Sequence, residues 1–161
     1  MGLRKFATRV HVSIAPWAIA LALGSSASAS SMAQLTPLTI AAQPLELAAP
    51  AVAAVDGDLN TQWTSNGIGA HLTFDWGVIK VVRQVRIAFY NGNARVYGFQ
   101  IQSSLDGERF FAAGSFISSG TTSTFETFDV NATGRYLRIV GWGNTLNRSN
   151  AYNEVQAYAL P

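Results

Sequence analysis

Short apolar runs alternate with clusters of Gly, Asn, Asp and Ser from residue 70 to the end of the chain. In several runs apolar residues recur at every second position, as at Val85, Ile87 and Phe89, which gives each strand one core face and one wetter face. No segment shows a sustained helical period. The pattern predicts an all-β sandwich with a flexible start at 34–36, a first strand over 38–42, and further strands over 71–76, 81–90, 97–103, 110–116, 124–130, 135–141 and 154–160.

The first 33 residues have the form of a secretory signal peptide. A basic segment opens the chain, with Arg4, Lys5 and Arg9. The apolar run over 14–23 that follows is shorter than the ~20 residues that span a bilayer. Small residues offer cleavage sites at 27–29 and at 31–33. We therefore expect an exported protein, extracellular or periplasmic, whose mature domain covers 34–161; the alternative is an uncleaved anchor.

Removal of this leader changes the charge of the protein. Three of the 11 Lys and Arg residues lie in the leader, so 8 remain against all 9 Asp and Glu residues, a net charge of −1 instead of +2. The basic pI near 9.2 is therefore no argument for a nucleic-acid partner, and a polyanion would need a local basic patch. The chain has no cysteine, so the exported domain is held by its core, with a bound metal as a further support.

The stretch over 55–63 concentrates polar ligands in one turn. It holds Asp56, Asp58, Asn60 and Thr61, and oxygen ligands of this kind suit calcium better than zinc. Asp-Gly turns followed by Asn and Thr are also ordinary turn chemistry. The residues of this stretch alone leave both interpretations open.

Five segments in order carry a family resemblance. They span 55–63, 86–92, 102–107, 135–144 and 153–158, and they contain Asp56-Gly57-Asp58, Tyr90-Asn91-Gly92, Leu105-Asp106-Gly107, Gly141-Trp142-Gly143-Asn144 and Asn153-Glu154-Val155. Together they resemble a discoidin domain, also called the factor V/VIII C-type domain. Within that superfamily they are most similar to the family 32 carbohydrate-binding modules found beside alginate lyases and related enzymes. The resemblance covers roughly residues 38 to 160 and implies a single β-sandwich of the jelly-roll, galactose-binding-like type.

The resemblance also implies a structural calcium ion. In similar modules an Asp-Gly-Asp turn, the following Thr and a Glu on the last strand hold the ion. The matching residues are Asp56, Asp58, Thr61 and Glu154, with a main-chain carbonyl such as that of Ala54. Such a site would join the first and last parts of the domain and stabilise it. The alternative is a turn without metal, in which Glu154 pairs with an arginine.

A sugar site on the loops at one end of the sandwich is implied as well. Similar modules stack an aromatic ring on the pyranose face and bind its hydroxyl groups with Arg, Asn or His. The matching residues are Tyr90, Asn91 and Arg95 in one loop and Trp142, Asn144, Asn147 and Asn150 in another. Each has a structural alternative: core packing for the two aromatics, a surface ion pair for Arg95, and turn formation for the asparagines.

The identity of the sugar does not follow from the resemblance. Modules beside alginate lyases have Gly-His-Gly-Asn where this chain has Trp142 in the second position, and they have a Trp in the region of 148–150. Because an arginine binds a uronate carboxylate with two parallel hydrogen bonds, we expect a uronate-containing polymer slightly ahead of a neutral galactose-type one.

Catalysis is not expected. The mature chain has one histidine, His71, which opens a predicted strand, and no carboxylate has an obvious apolar pocket that would raise its pKa for glycoside hydrolysis. We expect a noncatalytic lectin-like module with a polysaccharide or a cell-surface glycan as its partner, and no nucleic acid. The alternative is a discoidin-like adhesion module that binds a protein or membrane surface. For a membrane, the less expected partner, only Ile68, Trp142 and Leu146 offer apolar loop tips.

Overall fold

The computed structural model describes residues 31–43, 46–47 and 50–160, with the backbone alone at 46–47. The predicted signal peptide lies outside the described residues, apart from its last three positions. Nine strands form within these ranges: β1 Ala33–Leu35, β2 Thr39–Gln43, β3 Glu46–Leu47, β4 Trp63–Asn66, β5 His71–Phe89, β6 Tyr97–Ser104, β7 Phe111–Ile117, β8 Phe125–Asn144 and β9 Ser149–Ala159. A 3₁₀ turn, Ala51–Ala54, is the one helical element there, and no helix in the described ranges is long and apolar enough to cross a membrane.

Two long strands, β5 and β8, each take part in both layers of a β-sandwich. Up to Asp75, β5 pairs with β2 and with the second half of β8, which pairs in turn with β6, and β6 with β7. We call this layer the first sheet. From Lys80 onward, β5 pairs with β9 and with the first half of β8, while β9 also pairs with β1 and β4. All these pairs are antiparallel, and the predicted all-β sandwich is confirmed.

The strand boundaries correct several sequence predictions. The two strands predicted over 71–76 and 81–90 are the single strand β5, which bends at a register shift after Asp75 without ending. Gly77 has a φ of 73° there, a conformation that glycine adopts without a steric cost. The segments at 124–130 and 135–141 are likewise one strand, β8. The expected flexible start is wrong at Gln34 and Leu35, because both residues pair with β9.

Aromatic side chains fill the space between the two layers and hold the loops above them. Phe89 contacts Tyr97, with ring centres 5.0 Å apart, and it also contacts Tyr152. All three rings are buried, so Tyr152 belongs to the core. The Tyr97 hydroxyl donates a hydrogen bond to the Tyr90 carbonyl at 2.8 Å. The core thereby fixes the start of the loop between β5 and β6.

Five loops meet at one end of the sandwich, which we call the loop end and define as residues 55–62, 67–70, 90–96, 118–124 and 145–148. Backbone hydrogen bonds join three of them: Gly67 N–H to the Arg148 carbonyl at 3.0 Å and Thr145 N–H to the Val96 carbonyl at 3.0 Å. These bonds fix the loops over 67–70, 90–96 and 145–148 relative to one another.

Candidate functional site

The turn after the 3₁₀ element gathers oxygen atoms around the hydroxyl of Thr61. Thr61 Oγ1 lies 2.7 Å from Asp56 Oδ2, 3.0 Å from the Asp58 carbonyl oxygen and 3.4 Å from the Ala53 carbonyl oxygen. A hydroxyl has one proton and donates to one acceptor at a time. The surplus acceptors form a cluster of the hard oxygen ligands that calcium takes. The carbonyl groups in this cluster are those of Ala53 and Asp58, whereas the sequence suggested the carbonyl of Ala54.

Glu154 reaches the same turn from β9. Its side chain is buried, and Oε2 accepts the Gly57 N–H at 3.1 Å. Burial raises the pKa of Glu154; the Gly57 hydrogen bond opposes this rise and the negative charge of Asp56 adds to it. A cation beside these two carboxylates would offset that cost. The alternative pairing of Glu154 with an arginine does not occur, because in the described ranges the one ion pair joins Arg135 to Asp75.

One carboxylate oxygen of Asp58 is used within the turn. Its Oδ1 accepts the backbone N–H and the side-chain amide of Asn60, each at 2.8 Å. The Asp58 group beside Thr61 is the carbonyl oxygen, and the side chain of Asp58 as a ligand stays a prediction. No three Asp, Glu, His or Cys side chains gather in the described part of the chain. Two carboxylates, a hydroxyl and two carbonyl groups remain, and this donor set fits calcium.

The loop between β5 and β6 places an arginine on an aromatic ring. Asn91 has a φ of 49°, which asparagine tolerates better than most residues, and its carbonyl accepts the N–H groups of Ala94 at 2.9 Å and Arg95 at 3.0 Å. This tight turn brings Arg95 Cζ to 5.3 Å from the centre of the Tyr90 ring, within the range of a cation–π contact. Arg95 therefore rests on Tyr90, and the alternative surface ion pair is not formed.

A surface cavity of about 410 Å³ adjoins this loop. Tyr90 and Phe89 give it an aromatic side, and amide and hydroxyl groups surround the rest: Asn60, Gln62, Asn91, Ser123, Thr124 and Asn153. Asn153 Oδ1 is buried and has no hydrogen-bond partner in the part of the chain that the structure describes, while its Nδ2 donates to the Leu59 carbonyl. A cavity lined by amide and hydroxyl groups suits a ligand that carries hydroxyl groups.

Gln62, Ser123, Thr124 and Asn153 were not among the predicted sugar-binding residues, unlike Asn91. Gln62 and Asn153 lie in segments whose motifs indicated the fold and a calcium ion, but no motif indicated that their side chains would line a sugar cavity. The one signal that could have found part of the site is the run of Ser and Thr over 118–124, which is longer than a hairpin turn needs.

Trp142 stands at a second hollow of the loop end. It lies on the outer face of the first sheet and is 42% exposed. It lines a shallow hollow of about 270 Å³ together with Val96, Ile117 and Asn144. No residue lines both this hollow and the cavity beside Tyr90. The structure thus places the two predicted groups at the same end of the molecule, but in neighbouring hollows.

Asn150 is not part of a ligand surface. It is fully buried, with Oδ1 accepting the Gly143 N–H at 2.7 Å and Nδ2 donating to the Gly67 carbonyl at 2.9 Å. Because the side chain is fully buried and both ends of its amide bond to the backbone, a sugar cannot reach it, and its prediction as a ligand residue is wrong. The amide packs on Gly141, where a Cβ atom would lie 2.1 Å from Asn150 Oδ1.

Asn144 and Asn147 build the turn between β8 and β9. Asn144 Oδ1 accepts the Leu146 N–H at 3.0 Å, and its Nδ2 donates to Asn147 Oδ1 at 2.9 Å and to the Ser149 carbonyl at 2.7 Å. Asn147 Oδ1 also accepts the Ser149 N–H. These bonds support the alternative of turn formation, although Asn144 still lines the hollow of Trp142.

Comparisons with known proteins give a consistent result. A family model described as the F5/8 type C domain matches residues 26–155. A truncated AlyQ with CBM32 and alginate lyase domains is 34% identical, with a TM-score of 0.76 over 81% of this chain and 34% of that one; the present chain thus spans about a third of that protein. A search of curated proteins finds no match.

Two single modules are similar along almost their whole length. The CBM32 of AlyQ in complex with 4,5-unsaturated mannuronic acid is 35% identical, with a TM-score of 0.73 over 78% of this chain and 97% of that one. A pectin-binding carbohydrate-binding module is 19% identical, with a TM-score of 0.70 over 76% of this chain and 91% of that one. The second similarity concerns the fold alone.

Proposed function

The chain belongs to the F5/8 type C domain family, the discoidin family that its five segments indicated, and on this premise we propose that it is a noncatalytic module that binds a uronate-containing polysaccharide at its loop end. The polar cavity beside Arg95 and Tyr90 carries the proposal. Similarity to a module solved with 4,5-unsaturated mannuronic acid supports the ligand class. A similar module is attached to an alginate lyase domain. A partner enzyme would therefore act on the polysaccharide that this module binds.

Each group at the loop end has a part in this recognition. The Arg95 guanidinium, held above Tyr90, offers a planar fork of N–H groups to a sugar carboxylate. The amides and hydroxyls around the cavity accept hydrogen bonds from the sugar hydroxyls and donate hydrogen bonds to them. The exposed Trp142 ring gives the next sugar of the polymer an apolar face on which to stack.

A calcium ion supports the cavity from below in this proposal. Asp56, Thr61 and Glu154 would hold it with their side chains, and Ala53 and Asp58 with their carbonyl oxygens. The ion would neutralise the facing carboxylates and tie the turn to β9. The same turn and the residue before Glu154 line the cavity, so the ion would fix the cavity wall without contacting the sugar.

Export of the protein is the second part of the proposal. The basic and apolar segments of the leader support it. Because β1 already begins at Ala33 and pairs with Ala159, cleavage after residue 29 would leave that strand whole, whereas cleavage after residue 33 would remove its first residue. The intact mass of the protein recovered from the medium or periplasm distinguishes these two sites, and a mass that includes the leader would contradict export by cleavage.

Titration calorimetry of residues 31–161, which contain every described strand, tests the binding. We expect alginate or galacturonate oligosaccharides to bind in calcium buffer. Replacing Arg95 by Ala should weaken binding by about tenfold or more, since a hydrogen bond to a charged group contributes about 1.5–3 kcal/mol. Arg83→Ala removes the same charge from the other sheet and should leave the affinity unchanged. Equal affinities of all three proteins would contradict the proposed site, and shortened oligosaccharides afterwards would contradict the noncatalytic role.

A second candidate function rests on the exposed apolar tips of the loop end. Ile68 is 57% exposed and Leu146 68% exposed, and their loops are joined by the Gly67 hydrogen bond to the Arg148 carbonyl. Together they would dock on a membrane or on an apolar protein surface. Sedimentation with phosphatidylserine vesicles tests the membrane part. Sedimentation that is lost in Ile68→Ser with Leu146→Ser, without any polysaccharide binding, would favour this function.

A further inference from the structure

A cleft on the outer face of the first sheet lies apart from the loop end. Its volume is about 330 Å³, and its polar lining consists of Gln43, His71, Thr73 and Arg138. Gln43 is directly opposite His71, and Thr73 is opposite Arg138. The four side chains therefore occupy two adjoining rows on one face of three neighbouring strands. We infer that this cleft binds the carboxylate of an acidic sugar, as a second site besides the one at the loop end.

Arg138 is a partly buried cation that forms no ion pair with any carboxylate of the residues that the structure describes. Its Nε donates to Thr73 Oγ1 at 3.2 Å, and its Cζ lies 3.5 Å from the centre of the Phe110 ring. Asp75, two residues beyond Thr73 on β5, is not available to Arg138, because Arg135 binds both of its carboxylate oxygens at 2.8 Å. Burial lowers the pKa of Arg138, which reflects the cost of a cation with no opposite charge beside it. An entering carboxylate would supply that charge and accept hydrogen bonds from the guanidinium fork.

His71 adds a group that recognises a sugar hydroxyl. Its Nδ1 lies 3.0 Å from the Gly69 carbonyl oxygen, and because a carbonyl only accepts, Nδ1 carries the proton. In the neutral ring Nε2 is then an acceptor. Burial lowers the pKa of His71, the Gly69 hydrogen bond opposes this, and the charge of Arg138 lowers it further, so the ring is neutral at pH 7. A sugar hydroxyl next to the bound carboxylate would donate a hydrogen bond to this nitrogen.

The groups of the cleft favour a carboxylate over a phosphate. A phosphate group carries a charge of about −1.5 to −2 at pH 7, whereas the cleft offers one cation, Arg138, beside a neutral imidazole. The amide of Gln43 completes a set that suits one negative charge on a hydroxylated ring. Trp142 lies on the same face of β8, four residues and so ~13 Å from Arg138. A polymer stacked on Trp142 could therefore extend to the cleft.

The choice of an acidic sugar as the ligand rests on the proposed function. The cleft and the cavity at the loop end share no lining residue, so one site can be disproved by experiment without the other. His71 is the only histidine in residues 31–161, so its ring-proton NMR signals are assigned without ambiguity. Because the ring also bonds to Gly69 of the loop end, variants of Arg138 and Arg95 decide which site causes a shift. We expect sodium galacturonate and mannuronate oligosaccharides, in chloride buffer, to shift these signals to saturation. Galactose at the same concentrations should give less than about a tenth of this shift. A His71 signal that uronates leave unmoved, or that galactose shifts equally, would overturn the inference.

Variants separate the cleft from the rest of the protein. Arg138→Gln should weaken the uronate-induced shift by about tenfold or more, and Arg138→Lys, which keeps the charge without the fork, should also weaken it. Arg83→Gln makes the same charge change on the other sheet and should leave the shift intact. An unchanged titration in Arg138→Lys, with a wild-type melting curve, would overturn the inference even if Arg138→Gln does not fold. Arg95→Ala should retain the His71 shift, because Arg95 does not line the cleft. Weaker calorimetric binding in Arg95→Ala, with an unchanged His71 shift, would be assigned to the loop end and not to the cleft.

Discussion

The indole of Trp142 covers Gly98 on the neighbouring strand, so closely that a Cβ atom on Gly98 would lie 3.3 Å from indole Cε3. The absence of a side chain at residue 98 lets the ring rest against the sheet while 42% of it stays exposed. An exposed aromatic ring supported from behind is a rigid apolar face, and it loses little conformational freedom when a sugar stacks on it. The position of the indole therefore depends on Gly98 as well as on Trp142 itself.

Trp142→Ala should reduce polysaccharide binding with little change in melting temperature, because the ring packs on the surface and not in the core. We expect a loss of about 1 kcal/mol or more of binding free energy, close to the contribution of an aromatic contact. Binding isotherms and thermal melting of the same samples check this. Phe111→Ala removes another exposed ring, away from the loop end, and should change neither quantity; equal losses in both variants would argue against a specific platform.

Gly98→Val should weaken binding without removing any group that contacts the sugar. The strand at residue 98 has an ordinary extended conformation, so the valine strains no backbone, but its side chain would displace the indole. We expect a smaller loss than in Trp142→Ala, together with a shift in tryptophan fluorescence. An altered fluorescence with unchanged affinity would show that the position of the ring does not matter for the ligand.

Calcium should raise the melting temperature of the wild-type domain, by the linkage of binding to folding, which amounts to about 2.7 kcal/mol at one hundred times the Kd. Asp56→Ala should abolish this rise, because Asp56 Oδ2 belongs to the oxygen cluster. Asp58→Ala should keep most of it, because Asp58 Oδ1 bonds to Asn60 and the Asp58 group beside Thr61 is the main-chain carbonyl, which alanine retains. Differential scanning calorimetry with and without chelator measures both. A wild-type melting curve that calcium leaves unmoved would contradict the metal site.

Asp106 should make the protein sensitive to acid in a narrow range. Its Oδ1 accepts the N–H groups of Glu108 and Arg109, each at 2.9 Å, and the hydroxyl of Ser104. These bonds lower the pKa of Asp106 from 3.8 to about 2. The ionised form therefore stabilises the fold above pH ~4, and this contribution is lost as the pH falls towards ~2.

In Asp106→Asn the same turn is held by a neutral acceptor. We expect a lower free energy of unfolding at pH 7 and a smaller further decrease between pH 4 and pH 2 than in the wild type. Urea denaturation at each pH measures both quantities. Asp129→Asn, a surface change on β8, serves as a control. Parallel pH curves for the wild type and Asp106→Asn would contradict the role of this carboxylate.

The alternation of apolar residues predicted the layers of the fold, but not how far each strand runs. The run that ends at Trp76 and the one that begins at Val81 read as two strands, whereas a bend at Gly77 joins them without ending the pairing. β4 was missed because its sequence after Trp63 is polar and its pairing with β9 depends on partners far along the chain. Such long-range pairing leaves no local trace in the sequence.

The motifs indicated which loops meet, but not the direction of their side chains. Arg95 and Trp142 are exposed or half-exposed where the sequence placed them, whereas Asn150 is turned into the protein by its bonds to Gly143 and Gly67. Asn153, which was not among the predicted ligand residues, lines the cavity. Asparagine suits turns and ligands equally, so only the hydrogen-bond partners distinguish the two roles.

Affinity electrophoresis of residues 31–161 in native gels that contain alginate, polygalacturonate or a neutral galactan tests the central claim most directly. In calcium buffer, the account predicts retardation that increases with the concentration of a uronate polymer, and weaker retardation by the galactan. The same mobility in all gels, with or without polymer, would contradict carbohydrate binding at the loop end.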